Sequence, residues 1–203
     1  MIKTTNDARK SIVRAIPLIW RECVQVLGSE LHYQAMIYHC LRTEGKVPLG
    51  QIGMNVKIYI THPQSDFFKQ KLANKKGEWA EGFEPIPDIT IFSEKINNDW
   101  RRRNYDNTLK ESIYALELKA SERQDSRLRY KEIKNDIDKL IAQDEETWLR
   151  HKKRIGKGRM IIDTAPKKEE RMKPDTLGEL RGYAKQNGID FWYLSPEKRL
   201  KNN

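Results

Sequence analysis

Apolar positions along the chain change period several times, and each change marks an element. Over residues 6–27, Ile12, Val13, Ile16, Ile19, Trp20, Cys23, Val24 and Leu27 recur at spacings of three and four. That is one helical stripe. Asn6 or Asp7 is placed to cap it and Gly28 to stop it, while Pro17 argues for a kink or a later start. A second helix is read from an N-cap at Ser29 to about Arg42, with Leu31, Ala35, Tyr38 and Leu41 inward. Glu30 and Gln34, four apart, share a face of it. From Met54 to Thr61 the period becomes two, with Val56, Ile58 and Ile60 alternating with polar residues, as in a strand.

Residues 62–85 read as a polar loop with a short helix, and Ile86 to Phe92 as a strand near whose start Pro87 withholds a donor. A polar insertion, 93–111, precedes a strand at 113–120. A long helix is expected from Asp125 to about Lys153, with Ile133, Ile137, Leu140, Ile141 and Trp148 buried. The basic stretch from His151 to Arg159 becomes a glycine-containing loop before a short strand, Met160 to Thr164. A charged linker, 165–174, leads to a helix over Leu177 to Asn187 and a last strand over Ile189 to Leu194, with a frayed tail from Ser195.

The order α-α-β-β-β-α-β-α-β specifies an α/β fold, with a mixed central sheet of about five strands flanked by helices. The length of 203 residues suits a single domain. Its core runs over about 29–164, the helix at 6–27 precedes it, and a helix–strand addition at 175–194 follows.

The strand at 113–120 carries an energetic anomaly. Ile113, Ala115, Glu117 and Lys119 fall on one face and Tyr114, Leu116, Leu118 and Ala120 on the other. The first face begins apolar and ends in two opposite charges. Buried charges of this kind need a partner or a metal. Asp88, in the preceding strand, is the nearest candidate, because consecutive strands are usually neighbours. Two carboxylates with water suit a hard cation such as Mg2+ or Mn2+.

Charge widens the picture. The formal balance is 39 − 29 = +10, and a third of the chain, 33%, is charged. Such a surface favours a polyanionic partner, nucleic acid first. Arg101, Arg102 and Arg103, between Trp100 and Tyr105, combine charge with stacking groups, although a solvated basic loop has the same composition. Lys152, Lys153, Arg154, Lys157 and Arg159, with no acid among them, suit a loop on a phosphate backbone. Gln124 is placed to touch a phosphate or a water. Phe191, Trp192 and Tyr193 read as core, and the four histidines show no ligand spacing. Cys23 and Cys40 read as buried thiols of a reducing compartment. With no signal peptide and no apolar run of the ~20 residues that span a bilayer, a cytoplasmic protein without membrane contact is expected.

Pro87-Asp88, 28 intervening residues and then Glu117-Leu118-Lys119 resemble the PD-(D/E)XK nuclease superfamily, to which many restriction endonucleases belong. The element order from residue 29 to about 164 resembles that family's restriction-endonuclease-like core. The resemblance implies that Asp88 and Glu117 ligate Mg2+ or Mn2+ with help from the Leu118 carbonyl. It also implies that Lys119 is catalytic, and that Glu30 supplies the additional acid some members carry. Without the resemblance, Glu30 is a first-turn acid favoured by the helix dipole. Glu132-Ile133-Lys134 and Pro174-Asp175 repeat parts of the pattern, but in helical settings. The implied activity is metal-dependent hydrolysis of phosphodiester bonds in DNA, in restriction, defence, or phage or mobile-element processing. A homodimer would let two sites cut two strands. The competing readings are a non-catalytic nucleic-acid-binding protein with the same basic surface and an interaction subunit without chemistry.

Overall fold

The central sheet follows the order β1-β4-β5-β6-β7 in a computed structural model that describes residues 1–74, 82–122 and 127–196. Its strands are β1 (Ile52–Met54), β4 (Ile89–Phe92), β5 (Ser112–Ala120), β6 (Gly156–Ile162) and β7 (Asp190–Leu194). β1, β4 and β5 pair antiparallel, while β5, β6 and β7 pair parallel, so the sheet is mixed as expected. A separate two-stranded ladder joins β2 (Ile60–Thr61) to β3 (Gly82–Phe83).

Helices cover both faces. Helix α1 (Thr5–Cys23) and α2 (Glu30–Thr43) bury Ile12, Ile19 and Ile37 against Tyr114, Leu116 and Leu118 of β5. On the other face α5 (Tyr130–His151) and α6 (Pro174–Gln186) bury Ile133, Ile137 and Leu180 against Ala115 and Ile161. The parallel β5–α5–β6 connection requires such a crossover helix. Two shorter helices, α3 (Asp66–Ala73) and α4 (Tyr105–Glu111), close a third apolar cluster around Phe68, Phe92 and Leu109.

Several boundaries differ from those read in the sequence. Thr4, not Asn6 or Asp7, caps α1: its hydroxyl accepts the Asp7 N–H and Asp7 accepts the Thr4 N–H in return. The helix stops at Cys23, before Gly28, and runs through Pro17 without a break. Pro17 and Val13 both lie on the exposed side, so the carbonyl that loses its donor is open to solvent. In α2 the buried stripe is Tyr33, Gln34, Ile37, Cys40 and Leu41, and Leu31 is exposed. The tyrosine hydroxyl explains the rotation, because Tyr33 bonds the Val26 carbonyl and Thr164.

The strand expected over Met54–Thr61 is split. Val56, Ile58 and Ile60 are buried in the expected alternation, but Asn55 takes a left-handed φ of 50° and ends the ladder. Pro87 and Asp88 precede β4, which starts only at Ile89. Helix α5 starts at Tyr130, and the expected start at Asp125 lies outside the described residues, as does the tail beyond Pro196. Trp148, expected to be buried, is 40% exposed. β6 begins at Gly156, four residues before the expected Met160, and ends at Ile162. The glycines that suggest a loop are strand glycines: a Cβ at Gly156 would overlap the Tyr114 ring lying across it.

Candidate active site

Because β4 and β5 run antiparallel, the residue preceding β4 meets the far part of β5. Ile89 pairs with Leu116, so the same register sets Asp88 opposite Glu117, just beyond the end of the ladder. The Asp88 side chain reaches the next residue along β5, where its Oδ2 accepts the Leu118 N–H at 2.6 Å. The Leu118 carbonyl leaves β5 on the same edge as that N–H. The Glu117 carboxyl lies near enough to that of Asp88 for each to act on the other's charge.

Burial raises the Asp88 pKa first, the Leu118 N–H opposes the rise, and Glu30 adds to it. Glu117 lies well above the ordinary carboxylate range, mainly through burial and then through repulsion from Asp88, with Arg159 pulling the other way. Lys119 emerges half-buried beyond them, its Nζ 3.1 Å from Glu30 Oε2. The same Glu30 oxygen accepts the Ala120 N–H at 3.4 Å, and the Glu30 N–H donates to Glu122. Glu30, Asp88, Glu117 and Lys119 thus meet at one end of the sheet. Glu30, Lys119, Glu122, Arg127 and Glu132 line a small cavity of about 80 Å³ there.

Two residues not singled out for this site fix it. Gln34 donates to the Asp88 carbonyl and exchanges hydrogen bonds with Asn55 at 2.9 and 3.2 Å. Asn55 in turn donates its backbone N–H to the Asp88 carbonyl at 3.1 Å. Gln34 shares a helix face with Glu30, and that spacing was its only signal in the sequence. Beneath the site, Glu117 faces Arg159 in register across β5 and β6. Arg159 is fully buried, with Nη2 3.1 Å from Asp136 Oδ2, and none of its nitrogens makes a well-aligned hydrogen bond. Asp136 also holds Lys139 at 2.8 Å. The expectation that Arg159 contacts a phosphate backbone is therefore corrected: it is an internal counter-charge in β6.

The other basic candidates lie away from the carboxyls. Lys157 is in β6, only 12% of its side chain exposed, and pairs with Asp144 at 2.7 Å. Arg154 reaches the same Asp144 oxygen at 3.1 Å. Lys153 donates to the Lys110 carbonyl at 2.9 Å, and Lys152 is exposed. Gly156 pairs with Tyr114, so these residues sit near the start of β5, opposite the end that carries Lys119. Arg101 is held by Asp99 and Arg102 by Glu84, both at 2.7 Å, while Arg103 is exposed. All three belong to the connection that leaves β4 at Phe92 and enters β5 at Ser112, again the opposite end. Trp100 stacks in parallel on Phe92, and Tyr105 meets Tyr59 edge-on, so both rings are engaged internally. Gln124 lies outside the described residues.

Among the described residues no three His, Cys, Asp or Glu side chains form a ready coordination shell. The Asp88 and Glu117 carboxyls are oxygen donors of the type that hard cations take. Mg2+ commonly takes one or two carboxylates, with water and substrate phosphate completing its shell. No helix among the described residues is long and apolar enough to cross a membrane. No protein-family model matches the chain, and no curated protein or solved structure shows significant similarity to it.

Proposed function

We propose that the protein is a metal-dependent nuclease of the PD-(D/E)XK kind that hydrolyses phosphodiester bonds in DNA. The observation that carries this reading is the placement of Asp88, bonded on β5 to the Leu118 N–H at 2.6 Å, one residue before Lys119, and opposite Glu117 in register. In this reading the two carboxylates hold Mg2+ or Mn2+, with the Leu118 carbonyl directed to the same space. The bound ion would lower the pKa of a water and offset charge developing at phosphorus. Lys119 orients that water and stabilises the phosphate oxygens as a fixed ammonium. Glu30 holds Lys119 in position when no substrate is present. Gln34 and Asn55 fix the backbone that carries Asp88.

The test is incubation of purified protein with plasmid and single-stranded DNA in Mg2+ and in Mn2+. Cleavage that disappears in Asp88→Ala and Lys119→Ala, with DNA binding retained, is the expected outcome. Binding without cleavage in either metal would overturn the proposal. A second reading, a nucleic-acid-binding protein that does not cut, draws on one observation. Lys152, Lys153, Arg154 and the arginines at 101–103 lie at the end of the sheet away from the carboxyls.

A further inference from the structure

At the end of the sheet where β6 and β7 begin, α1, β6, α6 and β7 enclose an open groove of about 650 Å³. Its lining includes Arg9, Lys157, Arg181 and Lys185, with Asp190 as the carboxylate among them. None of the sequence patterns marked Arg9, Arg181 or Lys185, because they come from two helices far apart in the chain. Arg181 and Lys185 are one turn apart on the exposed side of α6, and neither forms an ion pair with any described residue. Arg9 pairs with Asp190 at 2.9 Å, yet 59% of its side chain remains exposed.

The groove continues into a second basic surface through a single atom. Asp144 Oδ2 holds Lys157, inside the groove, at 2.7 Å and Arg154, outside it, at 3.1 Å. Arg154 lies over the exposed Trp148 ring at 5.0 Å, and Lys152 lies over the same ring at 5.9 Å. The ring holds both cations extended at the surface. Gly156, on the groove wall, pairs with Tyr114, five residues before Lys119. At ~3.3 Å per residue the groove is roughly 17 Å of strand from the carboxylate end.

We propose that this groove, with the Trp148–Lys152–Arg154 ridge beside it, binds the phosphodiester backbone of nucleic acid at a place distinct from the Asp88–Glu117 site. Unpaired cations in an open groove, next to cations pinned on a ring, present fixed positive charge at low ordering cost. The proposal does not depend on whether the carboxyls cut.

Anisotropy of a labelled 30-base-pair duplex of mixed sequence, titrated in EDTA over a range of salt, tests it. The wild type is expected to bind with an affinity that falls steeply as salt rises. Arg181→Glu/Lys185→Glu should bind at least about tenfold more weakly and with a salt slope shallower by about two. Arg181→Gln/Lys185→Gln should fall between, and both residues are exposed enough for the fold to persist, as circular dichroism would verify. Lys69→Glu/Lys71→Glu, the same charge change on α3, should bind nearly as well as wild type. Equal losses in the α3 and α6 variants, unchanged binding by the α6 variants, or wild-type binding insensitive to salt would overturn the proposal. Failure of the nuclease reading would show separately, as normal duplex binding without cleavage in metal.

Discussion

Asp88 completes β5 with its side chain: where the β4 ladder stops, its carboxylate accepts the Leu118 N–H at 2.6 Å. Glu117 lies opposite Asp88 in the register, so two acids stand beside each other before any ligand arrives. Their proximity makes the site sensitive to pH. Both carboxyls have raised pKa values in the folded state, so the folded protein binds more protons than the unfolded chain. Stability is then highest below the ordinary carboxylate value and is lost as pH rises above it towards the raised value of Glu117. Thermal unfolding of the metal-free protein from pH 5 to pH 8.5 should show a falling midpoint, and Glu117→Gln, a mimic of the protonated acid, should flatten the curve. A midpoint rising with pH in the wild type would contradict this.

Metal should reverse that trend if the acid pair is its ligand. Mn2+ is expected to raise the unfolding midpoint more at pH 8 than at pH 6, because fewer protons compete. Asp88→Asn and Glu117→Gln should each abolish the shift. An equal shift in both variants would locate the ion elsewhere.

Gln34 offers a test of positioning. Replacing it with leucine leaves the Asp88 carbonyl and the Asn55 amide short of partners, at a cost of about 1–3 kcal/mol. Chemical denaturation measures that cost. Any cleavage activity should fall more than stability does, since the backbone under Asp88 loses its tie.

Gly156 admits no side chain. A methyl there would meet the Tyr114 ring, whose hydroxyl is fixed by Asp190 at 2.8 Å and so cannot retreat. Gly156→Ala should cost about 1–3 kcal/mol by overpacking. The same change at Gly178, which has open space around it, should be neutral or slightly stabilising.

Cys23 and Cys40 are buried, free thiols. Burial, with Cys40 and Glu22 nearby, pushes Cys23 up to about 12, and burial and Glu22 push Cys40 to about 11. Neither should react with a thiol-specific disulfide reagent at pH 8 until the protein unfolds, when both should be counted. Fast labelling of the native protein would refute their placement.

Four of the sheet's five strands could be read from their apolar runs, but β1, only Ile52–Met54, could not, because the period-two run expected to form a strand begins where the left-handed Asn55 ends the ladder. The convergence of Asp88 with Glu117 was legible for a related reason, since antiparallel neighbours in sequence bring such positions together. What escaped the sequence was anything set by side chains from distant elements. The rotation of α2 depends on Tyr33 reaching Thr164, and the interior position of Arg159 depends on Asp136, 23 residues earlier. A run of basic residues looks alike whether it faces solvent or, as in β6, runs inward past two glycines. Of the groove cations, Arg9, Arg181 and Lys185 come from α1 and α6 and have no shared pattern to find.

The contact between Asp136 and Arg159 also acts as an alignment key. The apolar seam of α5, made by Ile133, Ile137 and Leu140, would tolerate a small slide along the sheet. A slide of one residue would turn the helix by about 100° and carry Asp136 away, leaving a fully buried guanidinium without its counter-charge. Uncompensated buried charge costs about 3–5 kcal/mol, so misaligned packings of α5 are driven out of the ensemble. Arg159→Met would leave the seam greasy and undirected, and the protein would exchange one packing for several of similar energy.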